Sequence, residues 1–225
     1  MPEQFVNELA NYRSPGVFNP WGECDAAHDR CAEAPQIRRA QLQHYLGERI
    51  GQAKLLLVAE AIGYQGGHFS GIPMTSERLL LGGLTQKGIL PEHAFTSIAP
   101  QRTSKESVRQ DGFTEPTATI VWGFFADSGI DPRSFVLWNA FPWHPYKTGE
   151  GLLTNRTPTD DELTAGHRIL HRMIKLGDFR QIVAVGKKSA AQMANLGIDS
   201  IEVRHPANGG AGLFRRQMAD LIRGA

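Results

Sequence analysis

Four polar positions in this chain each close a run of strand-forming residues, and their types are those that move protons or hold anions. Glu60 ends "AKLLLVAE", Asn139 sits behind "FVLW", Lys187, Lys188 and Ser189 follow "QIVAVG", and His205 ends "IEVRH". A carboxylate at a strand end can give or take a proton, or it is a solvated loop acid or a helix cap. A buried carboxamide must find hydrogen-bond partners, from loop backbone or from a bound molecule. Two lysines and a serine at the start of a helix hold a natural phosphate position. His205 precedes a proline and so takes an extended turn conformation, where a histidine serves structure as readily as chemistry.

These positions are brought together by the order of elements. An apolar spacing over "PQIRRAQLQHYLGERIGQ" predicts a helix ending near Gly51. Buried strands are predicted at residues 53–60, 134–141, 181–186 and 201–205. Helices are predicted between and after them, including "EPTATIVWGFFADSG", with Pro116 near its first turn, and "TPTDDELTAGHRILHRMIKLG". In the latter, Thr159 and Glu162 have capping-box spacing and Gly177 marks the end. A short helix opens in "SERLLLGGL". This alternation implies a three-layer α/β/α fold around a mainly parallel, four-stranded sheet. In such sheets ligands bind at the carboxyl ends of the strands, so the four polar positions converge on one rim. Glu60 is followed by Gly63, Gly66, Gly67 and Gly71, but without G-x-G-x-x-G or P-loop spacing, which disfavours a small nucleotide-binding protein.

The totals set wider bounds. A chain of 225 residues, 41% hydrophobic, suits a single domain, with residues 1–35, rich in Pro, Asn, Asp and Ala, as an irregular N-terminal arm. The net charge of +1 gives no bulk field for nucleic acid, although a local basic cluster is enough to contact phosphates. No apolar run approaches the roughly 18 residues of a membrane helix, and no secretory leader is visible, so a cytoplasmic protein is expected. Cys24, His28 and Cys31 lie close together, but three ligands at that spacing match no structural zinc or cluster site. No metal and no cofactor are expected.

Taken in order, "VAEAIGY", "GHFSGIPMTSE", "LWNAFPWHPY" and "RHPANGG" resemble the motifs of the uracil-DNA glycosylase superfamily. The set spans about 150 residues and looks nearest to a bacterial, glycosylase-like branch with a G-E-A-P-G first motif. Members of that branch usually hold four cysteines for an iron–sulfur cluster; this chain has two. The resemblance implies a monofunctional glycosylase that hydrolyses the N-glycosidic bond of a flipped, deaminated base, uracil first, in base excision repair. It implies a monomer whose partner is damaged DNA.

The same resemblance assigns roles. Asn139 would read the base, accepting from uracil N3–H and donating to O4, a pattern that cytosine reverses. His205 and backbone N–H groups near Ala61 would stabilise the anion of the departing base. Glu60 would favour the cation-like sugar and position water, although in a branch whose acid stands one place later that role aligns with Ala61. Gly63 aligns with the residue that excludes the thymine methyl. Met74 occupies the stacking position, with Tyr64 or Phe69 as nearby aromatic faces. Lys187, Lys188, Ser189 and Arg204 would meet DNA, and Asn208, Gly209 and Leu213 belong to the loop that would fill the gap left by the flipped base. A catalytically silent, nucleic-acid-binding member of the fold is the alternative.

Overall fold

In the computed structural model, which describes residues 2–224, the chain begins with α1 (Pro2–Leu9), β1 (Val17–Phe18), α2 (Ala34–Gly47) and β2 (Leu55–Ala61). Two short helices, α3 (Gly67–Ser70) and α4 (Glu77–Leu80), follow β2, then α5 (Pro116–Asp127), β3 (Phe135–Phe141) and β4 (His144–Pro145). The last third alternates strictly: α6 (Asp160–Leu176), β5 (Gln181–Val185), α7 (Lys187–Asn195), β6 (Ile201–Val203) and α8 (Ala211–Arg223). Met1 and Ala225, the outer limits of the expected arm and domain, lie outside the described residues.

The long strands form one parallel sheet in the order β3-β2-β5-β6, flanked by helices, the α/β arrangement that the alternation of elements implies. β3 is buried along its whole length, which is why "FVLWNAF" carries apolar residues on both faces. Register pairs Ala59 of β2 with Asn139 of β3 and Ala61 with Phe141, so the two central strands end level with each other. α6 packs on β3, and its start is fixed by the capping box: Thr159 accepts from the Glu162 N–H, and Glu162 Oε2 accepts from the Thr159 N–H at 2.8 Å. No helix among the described residues is long and apolar enough to cross a membrane.

Within the described part of the expected irregular arm, residues 2–35, the structure has regular, buried elements. α1 buries Phe5, Val6 and Leu9 completely, with Phe5 tilted against Trp138 of β3 at 5.4 Å between ring centroids. Full burial of three such side chains contributes roughly 1.5–3 kcal/mol each. β1 pairs antiparallel with β4, and Trp21 donates its indole N–H to Gly71 O at 3.0 Å. Asp29 and Arg38 form a buried two-pronged ion pair at 2.8 and 3.0 Å that ties this segment to α2. The N-terminal segment is therefore part of the core. Of the three residues considered for a metal, Cys24 and Cys31 are free thiols and His28 Nδ1 turns to Asp25 at 2.7 Å.

Candidate active site

At the carboxyl ends of β2 and β6 lies a cavity of about 330 Å³, within the size range of small-molecule sites. Its walls include Glu60, Ala61 and Gly63 from the end of β2, Met74, Glu115, and His205. A larger surface cleft of about 610 Å³, between Tyr12, Gly16, Tyr146 and Thr159, has no histidine and no residue of the four-stranded sheet in its wall. The smaller cavity is the one built by the sheet.

Glu60 is 29% exposed and its Oε1 receives Lys188 Nζ at 3.1 Å. Lys188 also donates to Thr157 Oγ1 at 2.5 Å, so it stands as the counter-ion of Glu60. Lys187 is exposed at the start of α7 and makes no ion pair among the described residues. Ser189 departs from its expected role. It is fully buried, donating its hydroxyl to Val58 O at 2.6 Å, and so fastens α7 to β2.

His205 is oriented by its own turn. The Ala207 N–H donates to Nδ1 at 3.1 Å, which places the ring proton on Nε2 and makes Nε2 a donor. Burial lowers the imidazole pKa below its ordinary value, and the neighbouring Arg204 adds to this. The ring is therefore a neutral donor near pH 7. Behind it, Gly186 takes φ +91° and ψ 159° at the junction of β5 and α7, a region essentially restricted to glycine. A Cβ there would stand 2.9 Å from His205 Cβ. Met74, also in the wall, is a buried non-glycine residue at φ 47°.

Glu115 escaped the sequence reading. It occupies the N-cap position of α5 yet makes no capping bond. Its side chain lines the cavity instead, with Oε2 packed against Gly66, sealed from solvent and without a hydrogen-bond partner. Burial alone pushes this carboxyl up to about 7. Gly66 makes room for it, because a Cβ at Gly66 would overlap Oε2. The one sequence signal was a glutamate where Ser, Thr, Asp or Asn is the usual cap.

Several expected residues stand elsewhere. Asn139 is 1% exposed at the end of β3 and does not line the cavity; its Oδ1 is buried without a partner. Phe69 is fully buried and stacks on Phe113 at 4.1 Å, which removes it from the wall. Tyr64 also lies off the wall, its backbone N–H donating to Asn155 Oδ1 at 3.0 Å. Arg204, Asn208 and Gly209 are exposed beside His205, and Leu213, on the first turn of α8, is 46% exposed. Beneath the cavity His144 Nε2 donates to Thr154 O at 2.7 Å, and His144 Nδ1 meets His68 Nδ1 at 2.9 Å. That buried contact holds the segment carrying Asn155 against the wall.

The family model described as the uracil DNA glycosylase superfamily matches residues 48–218 of the chain. No curated protein matches its sequence. Among solved structures, the fold is similar to the crystal structure of wild-type Pedobacter heparinus SMUG2, with a TM-score of 0.63 at 12% identity. The match covers 99% of this chain and 97% of that one.

Proposed function

Because the chain belongs to the uracil DNA glycosylase superfamily, a family of DNA glycosylases, we propose that it hydrolyses the N-glycosidic bond of a deaminated base, uracil first, flipped out of DNA during base excision repair. The observation that carries this reading is the pairing of Glu60 and His205 in the wall of one cavity at the strand ends. Bond cleavage leaves negative charge on the base, and the neutral His205 stabilises it by donating its Nε2–H. Glu60 faces the sugar side, where its carboxylate favours the cation-like deoxyribose carbon and orients water, while Lys188 holds its other oxygen. Met74 supplies the stacking surface. Arg204 and Lys187 supply phosphate contacts, and Leu213 fills the space that the flipped nucleotide vacates.

The position of Asn139 off the cavity wall favours a second reading, a DNA-binding member that cuts no glycosidic bond. One assay separates the two. Duplex and single-stranded oligonucleotides carrying uracil, hypoxanthine or xanthine are incubated with the protein and then cleaved with alkali. Strand breaks at the modified position support the glycosylase; binding without breaks on any substrate supports the silent binder.

A further inference from the structure

We propose that Glu115 is the residue that recognises deamination, its carboxyl donating O–H to the ring carbonyl that replaces an exocyclic amine. This inference rests on the glycosylase reading of the cavity. Deamination changes two features of the base edge: a two-hydrogen donor becomes an oxygen acceptor, and the adjacent ring nitrogen gains a hydrogen. A donor held at the new carbonyl, shielded from water, reads the first of these changes.

The cavity wall offers few such groups. Glu60 engages Lys188, Arg156 is held by both oxygens of Glu162 at 2.6 and 2.7 Å, and His205 is directed by its Ala207 bond to the glycosidic side. These three are the titratable side chains that face the cavity with Glu115, from β2, from the segment before α6 and from the turn after β6; α3 brings only the backbone of Gly66 to it. Glu115 is the acid in that wall with no partner of its own. Its Oε2 is sealed and unbonded, and a hydrogen bond from the carboxyl to a bound base would remove part of that cost. Helix capping does not account for it either, since the N-cap side chain of α5 turns away from the helix.

Protonation decides the specificity. As the neutral acid, Glu115 donates to the new carbonyl of a deaminated base. As the carboxylate it is an acceptor alone, repels that carbonyl and suits the parent amine. With the carboxyl raised to about 7 by burial, the free protein is in the donating form below that pH and loses it above. Charge from neighbours does not set this balance; burial does.

The test is the pH profile of kcat/KM for uracil excision between pH 6 and 8.5, for the wild type and for Glu115→Gln, which carries an N–H donor at every pH. The wild-type value should fall about tenfold per pH unit above 7. Glu115→Gln should keep its pH 6 value to within a few-fold up to pH 8.5. Glu115→Ala, lacking a donor, should be slowed about 10²-fold at pH 6. Excision by wild type and Glu115→Gln with superimposable profiles would overturn the role of Glu115 and leave the glycosylase reading standing. No excision of any deaminated base by the wild type would overturn that reading, and this inference with it.

Discussion

Replacing Gly186 with alanine tests how the sheet aims the chemistry. At φ +91° and ψ 159° the backbone is outside the range of L side chains, which costs about 1–3 kcal/mol. The new Cβ would also stand 2.9 Å from His205 Cβ, against the 3.4 Å or more of ordinary contact, so the His205 turn must move by about half an ångström. Catalytic geometry tolerates about that much and no more, and a misplacement of about 1 Å can cost 10²-fold. Gly186→Ala should therefore unfold at lower urea concentration, by about 1–3 kcal/mol, and excise base at least about tenfold more slowly under single-turnover conditions. Gly197→Ala is the control. Gly197 has φ +64° but open space around its Cβ position, so that variant should lose about 1 kcal/mol and no excision rate. Equal excision rates for Gly186→Ala and Gly197→Ala would refute the claim that Gly186 sets the position of His205.

Other perturbations follow from the contacts of single residues. Lys187→Ala should flatten the dependence of log affinity on log salt by about one unit for any DNA sequence, whereas Lys188→Ala should chiefly slow excision by freeing Glu60; fluorescence anisotropy at several salt concentrations measures the first. Asp29→Ala leaves the buried Arg38 guanidinium uncompensated and should cost about 3–5 kcal/mol in chemical denaturation. Glu115 should also leave a mark on stability. Its carboxyl is raised in the folded state to about 7, so between about pH 4.5 and 7 the native state holds a proton that the unfolded state has lost, and stability falls as pH rises, by about 1.4 kcal/mol per unit. Glu115→Gln should remove this slope, leaving the variant more stable than the wild type by about 3 kcal/mol at pH 7.5 relative to their difference at pH 4.5; identical slopes would refute the burial of an unpaired acid.

How far the sequence reaches depends on whether a signal is local. The aliphatic run at Leu55, the unbroken "FVLWNAF" and the Thr159–Glu162 cap are properties of neighbouring residues, and each sits in the element that its local pattern predicts. Glu60 and His205 were legible for the same reason, as polar residues closing apolar strands that a parallel sheet must align. α1 was not. Eight residues with three apolar positions among polar ones become a helix only because α2 and α6 cover Phe5, Val6 and Leu9. Phe69 and Ser189 failed on long-range grounds, one claimed by Phe113 and the other by the carbonyl of Val58, more than a hundred residues earlier. Glu115 lies 55 positions after Glu60, and only the folded chain turns it toward the same cavity.

The most direct test of the whole account is single-turnover excision of uracil by His205→Ala, with DNA binding measured separately on the same preparation. The account predicts a chemical step slower by roughly 10²- to 10³-fold with affinity nearly unchanged, because the Nε2–H donor acts on charge that exists only as the bond breaks. A His205→Ala protein that excises at the wild-type rate would contradict it and remove this cavity from the chemistry.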